Sequence, residues 1–230
     1  MWIYKWETNI TGASLGGHPL ANVYLWEKKV WPEWWKPWAN TIAYYPLKEN
    51  LNDYSGNNNH FSIASWTVSY SNNMATLTRV TANSILASYS WDFTILAYTQ
   101  LANAETWYFP ICASNYYPNM KFWLMNNQSE CAYSYSWWWH SATVSYTQSW
   151  IHLLVWVKNS SEFTIYIDGS VVKTLSWPFN STQSNSISLL WQDAVWTWTC
   201  TYWNLIIENK ARTAEEISAY YNQTKSNYWL

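Results

Sequence analysis

The chain has 230 residues, is 49% hydrophobic and 20% aromatic, and carries a formal net charge of −2. That length suits one all-β sandwich with a sizeable core, and the aromatic content excludes a disordered chain. Charged residues make up only 11%, with no basic stripe for a nucleic-acid partner and no apolar run near the ~18–20 residues of a membrane span.

Residues 1–38 read as a separate small unit. Met1–Glu7 lacks the basic start and apolar stretch of a secretion signal, so a role outside the cell implies another exit route or a longer parent chain. Val23–Leu25 and Lys29-Val30 fit a short β-hairpin, and Trp31–Pro37, interrupted by prolines, reads as a linker. From residue 39 to 230 the pattern is strand after strand. Candidates are Thr41–Leu47, Phe61–Tyr70, Ala75–Val80, Ile85–Tyr89, Phe93–Tyr98, Thr106–Ala113, Lys121–Met125, Ala132–Tyr135 and Ala142–Tyr146. Each is short and rich in β-branched or aromatic residues, and most are bounded by Asn, Ser or Pro, a spacing that predicts an antiparallel sandwich. Phe163, Ile165 and Ile167 alternate with Thr164 and Tyr166 ahead of Asp168-Gly169, a strong hairpin signal because the tight turn needs positive φ twice. Thr213-Ala-Glu-Glu216 matches a capping box, and Ile217, Tyr220 and Tyr221 fall on one face of the helix it opens.

Tryptophan and glycine counts are both unusual: 22 Trp against 5 Gly. Average usage predicts about 16 Gly, and a sandwich needs them at turns and bulges. Trp26, Trp91, Trp137–Trp139, Trp196, Trp198 and Trp203 fall at or between strand ends, where glycine is expected. This predicts that many are UGA codons read as glycine in the native host; UGG at these positions would end the idea. Trp150, ahead of Ile151–Val157, fits a true core tryptophan. The alternative is a Trp-rich surface that stacks on sugars.

Three segments together resemble the laminin-G-like, concanavalin A-like superfamily. The first is Ile42–Leu47 followed by Leu51-Asn-Asp-Tyr-Ser-Gly-Asn57 and Asn59-His60. The second runs from Trp150-Ile-His-Leu-Leu-Val155 to Phe163-Thr-Ile-Tyr-Ile-Asp-Gly169. The third is Ile206–Ile217, a last strand running into a Thr-Ala-Glu-Glu-Ile helix. The resemblance implies an all-β, concanavalin A-like antiparallel jelly-roll sandwich over residues 39–230, with one short C-terminal helix. Glu208 departs from it, since an aromatic residue is expected there, as do Trp66 and Trp91, where glycine is favoured. Val23-Tyr-Leu-Trp-Glu-Lys-Lys-Val30 is also similar to a short repeat of phage structural proteins, which implies a tail or virion-decoration protein with other virion proteins as partners.

The chemistry points away from catalysis. Laminarinase-like members of the superfamily need two carboxylates on one strand, as Glu-x-Asp-x-x-Glu, and no such run occurs. Glu208 reads as isolated, and Glu215-Glu216 belongs to a helix cap. His18, His60, His140 and His152 do not pair at metal spacing; His152, on an apolar strand, reads as a satisfied core residue. The resemblance implies calcium at a rim, for which Asp53, Asn57 and Asn58 are the candidates; the alternative is a turn in which Asp and Asn bond their own backbone. Asp193 has no visible partner. Tyr116-Tyr117, Tyr133 and Tyr135 are candidates for sugar stacking or for the core. Cys112, Cys131 and Cys200 form no framework, though a Cys112–Cys131 bridge is open. The expectation is a non-catalytic module binding glycans or a host-surface ligand on a cell or virion surface. A ligand-free virion component is the rival and a glycoside hydrolase the distant third.

Overall fold

The structure, a computed structural model, describes residues 38–63, 67–72, 74–78, 82–88, 92–101, 108–113, 119–125, 128–135, 138–145, 151–160, 162–176, 184–191 and 199–228, with four short strands before them. The chain divides into two compact units, Met1–Trp38 and Ala39–Leu230. In the first unit β1 (Ser14–Leu15) pairs with β2 (His18–Pro19), and β3 (Val23–Leu25) pairs with β4 (Lys28–Val30), Val23 lying opposite Val30.

The second unit contains β5 (Thr41–Tyr45), β6 (Ser62–Ile63), β7 (Thr67–Ser71), β8 (Met74–Thr78), β9 (Ala82–Ser88), β10 (Phe93–Leu101) and β11 (Tyr108–Ala113). It continues with β12 (Asn119–Met125), β13 (Gln128–Tyr135), β14 (Trp138–Ser145), β15 (Ile151–Asn159), β16 (Glu162–Ile167), β17 (Ser170–Ser176), β18 (Ser184–Trp191) and β19 (Thr199–Glu208). Helix α1 (Ala214–Thr224) and a 3-10 turn, Lys225–Tyr228, follow. One sheet runs β17-β16-β15-β10-β19-β8-β7, with β5 also paired to β19; the other runs β14-β13-β12-β11-β18-β9-β6. The pairings are antiparallel, and the late strands β18 and β19 insert between early ones. This is the β-sandwich with one terminal helix that the strand pattern predicts.

Several expected boundaries move. The predicted strand Phe61–Tyr70 is two strands, β6 and β7, in different sheets. Trp138 and Trp139 begin β14 instead of filling a loop. Trp203 lies inside β19, at the bulge where Tyr98 faces Asn204 and Thr99 faces Tyr202. Trp26, Trp66, Trp91, Trp137, Trp150, Trp196, Trp198, Tyr116, Tyr117 and Asp193 lie outside the described residues. The Cys112–Cys131 bridge is excluded by register. Cys131 lies opposite Phe122, and Phe122 opposite Ile111, so β12 runs between the two cysteine strands. Two strand spacings are about 9–10 Å, beyond the ~7 Å that a disulfide spans between Cα atoms.

Left-handed turns are held largely without glycine. Asn58 (φ 58°), Asn72 (φ 51°), Asp168 (φ 51°), Ser160 (φ 44°) and Leu47 (φ 52°) take positive φ alongside Gly56 and Gly169. Asn and Asp tolerate this region better than other side chains. The abundance of Asn therefore supplies part of what the scarce glycine would.

The central strands of the first sheet, β10, β15 and β19, are buried on both faces. One face carries Phe93, Ile95, Ala97, Leu154, Trp156, Phe163, Ile165, Leu205 and Ile207, all buried; Trp156 and Phe163 rings lie 6.3 Å apart. The other carries Thr94, Leu96, Tyr98, Asn204, Ile206 and Glu208, and α1 packs on it. The Tyr98 hydroxyl meets Thr224 Oγ1 at 2.6 Å and Asn204 Nδ2 reaches the Tyr220 hydroxyl at 3.4 Å. Ile217, Tyr220 and Thr224 are the helix's buried residues, and burial pushes the Tyr98 and Tyr220 phenols well above their ordinary pKa. Thr213 caps α1 as predicted: Glu216 N donates to Thr213 Oγ1 (3.2 Å) and Thr213 N to Glu216 Oε2 (3.0 Å).

Candidate functional site

The crossover from β5 to β6, residues 46–61, joins the two sheets. Its inward residues alternate with outward ones: Leu51, Asp53 and Phe61 are buried, whereas Asn52, Tyr54 and Gly56–Asn58 are exposed. Asp53 holds the loop. Its Oδ1 accepts from Tyr44 N (2.9 Å) and Ser55 N (2.8 Å), and its Oδ2 from Ser55 Oγ (2.8 Å) and Asn59 N (2.9 Å). Its own N–H donates to His60 Nδ1 at 3.0 Å. Burial alone would raise the Asp53 pKa; the backbone donors of Tyr44, Ser55 and Asn59, with the Ser55 hydroxyl, outweigh it and hold the carboxyl below its ordinary value.

The three calcium candidates share this loop. Asn57 donates its amide N–H groups to Thr41 O (3.0 Å) and Ile42 O (2.9 Å), and Asn58 is exposed at positive φ. Both oxygens of Asp53 already accept two hydrogen bonds each, and Asn57 presents nitrogen to the carbonyls. Calcium, which takes six to eight oxygen ligands, would have to displace those donors. No group of three or more His, Cys, Asp or Glu able to hold a metal occurs among the described residues.

A second anchor lies at the β16–β17 hairpin. Asp168 Oδ2 meets His152 Nδ1 at 2.6 Å, and Asp168 Oδ1 accepts from Leu153 N at 3.0 Å. Asp168 N donates back to Leu153 O at 3.0 Å. A Cβ on Gly169 (φ 79°) would lie 3.0 Å from Tyr221 Cβ, so only glycine lets α1 approach the turn this closely. His152 is thus satisfied, as expected, and its partner is the turn aspartate. The His152 strand, the Asp168-Gly169 turn and the helix meet at one corner.

Glu208 is not isolated. It is fully buried, and Arg212 grips it with two hydrogen bonds, Nε to Oε2 (2.5 Å) and Nη2 to Oε1 (2.8 Å). Arg212 Nη1 also lies 3.7 Å from Glu216 Oε1, which pairs with Lys210 as well. This network ties the end of β19 to the first turn of α1. The i, i+4 spacing of opposite charges was the available sequence signal. Asp92 Oδ1 likewise accepts from Ser160 N (2.7 Å) and lies 3.9 Å from Lys158 Nζ.

The outward side of the crossover is built differently. Tyr54 is 53% exposed, yet its backbone N–H donates to Tyr44 O at 2.7 Å. Its hydroxyl accepts from Asn50 Nδ2 at 3.1 Å, while Asn50 Oδ1 accepts from Asn52 N at 2.9 Å. An aromatic ring is thereby held at the surface by a short chain of amide hydrogen bonds. Reading the loop for metal ligands missed this residue. Its signal was the alternation of Leu51 and Asp53 with Asn52 and Tyr54.

Together these features define a two-sheet antiparallel β-sandwich closed by one helix. No protein-family model matches the sequence, and no curated protein matches it. Among solved structures the chain is similar to one of botulinum neurotoxin type C, whose cell entry is dependent upon interaction with two ganglioside molecules (TM-score 0.68, 14% identity, covering 80% of this chain and 51% of that one). It is also similar to the binding domain of botulinum neurotoxin DC in complex with rat synaptotagmin II (TM-score 0.69, 13% identity, covering 80% and 51%). A third is the binding domain of Paraclostridial Mosquitocidal Protein 1 (TM-score 0.66, 14% identity, covering 80% and 52%). At these identities the likeness is one of fold. The chain spans about half the length of the structures it matches, and what those proteins bind is said of them alone.

Proposed function

We propose that the chain is a non-catalytic binding module that recognises carbohydrate on a cell or virion surface. The observation that carries this reading is how the carboxylates are used. Among the described residues, Asp53, Asp92, Asp168 and Glu208 each hold backbone amides or a cation, and beyond the adjacent pair Lys48 and Glu49 the exposed crossover residues carry amides, an aromatic ring and the His60 imidazole. A glycosidase needs two carboxyl groups facing one cleft, one of them free to move a proton. Neutral hydrogen-bonding groups around an aromatic face suit sugar hydroxyls and C–H groups instead. The likeness to receptor-binding domains supports the same reading at the level of fold. The test is a glycan array probed with the whole chain, with and without calcium. Calcium-independent binding to a defined glycan set is expected; hydrolysis of the printed glycans, or binding to none, would overturn the reading.

A second reading is a structural virion component without a ligand. It is favoured by the β3–β4 hairpin, which pairs Tyr24 with Lys29 and Leu25 with Lys28 inside the segment similar to a phage repeat. A chain that binds no glycan yet forms ordered oligomers by light scattering would favour it.

A further inference from the structure

We infer that Tyr54, fixed by Asn50 and flanked by Asn52, is a stacking platform for a neutral sugar ring; this assignment rests on the carbohydrate-binding reading above. Tyr54 and Val171 are the large hydrophobic residues left exposed among those described. A single exposed aromatic is ordinary on a protein surface. What distinguishes Tyr54 is that it is exposed and immobilised together. Its backbone is pinned to β5 through Tyr44 O. The neighbouring residues are locked by the four hydrogen bonds that Asp53 accepts. Its phenol is held by the Asn50 amide, and that amide is itself oriented by the Asn52 N–H. A ligand therefore meets a ring whose rotamer is already selected, which removes much of the side-chain ordering cost of binding.

The chemistry of the ligand follows from the donors and acceptors. Because the Tyr54 oxygen accepts from Asn50, its own O–H proton remains available to donate outward. The ring offers an apolar face for the C–H groups of a pyranose. Asn52, exposed two residues before Tyr54, adds an amide that both donates and accepts. Gly56, whose absent Cβ would meet nothing within 4 Å, leaves the space beside the loop open. The cation of this stretch, Lys48, stands next to Glu49, so the loop carries no local excess of positive charge for a sulfated or phosphorylated ligand. A neutral saccharide is the class that fits.

The experiment is a printed array of neutral, sialylated and sulfated oligosaccharides, probed with the whole chain and with Tyr54→Ala, Tyr54→Phe and Asn50→Ala. The strongest binder is then titrated by calorimetry. Thermal melting checks that each variant is folded, which an exposed side chain allows. Tyr54→Ala is expected to weaken binding at least about tenfold, or about 1.4 kcal/mol. Tyr54→Phe, which keeps the ring face but loses both the Asn50 hydrogen bond and the outward hydroxyl, should fall between the parent and Tyr54→Ala, as should Asn50→Ala. If the parent chain binds a glycan and Tyr54→Ala binds it equally well, the platform assignment is wrong while the carbohydrate reading stands. If the parent chain binds only charged glycans, the assignment of ligand class is wrong. If it binds none, both readings fall.

Discussion

The two faces of the first sheet are built on different principles. The face with Phe93, Ile95, Trp156, Phe163 and Ile207 is held by burial of apolar side chains, a force with little directional demand. The helix-covered face carries Thr94, Tyr98, Asn204 and Glu208, each with a specific partner: Lys210 O, Thr224, Tyr220 and Arg212. Apolar packing sets how much stability the sandwich has. The polar contacts set where α1 docks, because Tyr98 and Asn204 meet Thr224 and Tyr220 on the helix while Thr94 and Glu208 hold Lys210 and Arg212 in the segment that leads into it.

Substitutions on the two faces should therefore fail differently. Phe163→Ala is expected to cost about 3–5 kcal/mol by lost burial and a residual cavity, read by urea denaturation. Glu208→Ala should cost a similar amount, about 3–5 kcal/mol, because it takes the two-bond partner from the buried Arg212 guanidinium and leaves it the longer Glu216 contact. The distinction lies in rescue. Glu208→Leu combined with Arg212→Leu is expected to recover most of the loss, since replacing both members of a buried pair by apolar residues is often near neutral. A double variant no better than Glu208→Ala would show that the pair does more than satisfy itself. Gly169→Ala comes next, at about 2–3 kcal/mol. Positive φ costs a Cβ-bearing residue about 1–2 kcal/mol, and the new methyl would press on Tyr221. Adding Tyr221→Gly, which removes the contacting Cβ as well as the ring, should relieve the contact and leave the backbone cost, and melting temperatures set against Tyr221→Gly alone would separate the two.

What could be read from the sequence divides along the same line. Apolar alternation in Phe163–Ile167, the Asp168-Gly169 turn and the Thr213–Glu216 cap are local patterns, and each appears where it was expected. The partnerships on the helix face are not local. His152 and Asp168 are 16 residues apart, and their meeting depends on the β15–β16 register. Tyr98 and Thr224 are 126 residues apart. Glu208 differs again: the family resemblance puts an aromatic residue there, and the partner that explains the glutamate, Arg212, lies four residues on, beyond the strand end. Tyr54 shows in the sequence only as an outward position of the crossover, and its fixing by Asn50 depends on the conformation of the loop. The tryptophan question stays with the gene. Trp203 occupies a bulge inside β19, and the codon there is the most informative one to sequence.

The smallest effect is also the one that separates the crossover loop from the sheet. Asp53 has its pKa held down by four donors in the folded chain, against about 3.9 when unfolded. Between those two values the unfolded chain binds the extra proton, so stability rises with pH there. Asp53's contribution is therefore complete above about pH 4–5 and is lost as pH falls through the folded value. Asp53→Asn removes it at every pH, placing an NH2 group where an oxygen accepts donors. The melting-temperature gap between Asp53→Asn and the parent should be widest at neutral pH and shrink as pH drops below about 4. Glu216, whose pKa is also lowered, chiefly by its hydrogen bond from Lys210, titrates in both proteins and cancels in that difference. A gap that stayed constant down to pH 3 would mean that the loop is held by its backbone turns and not by the carboxylate, and the fixed platform under Tyr54 would then need another support.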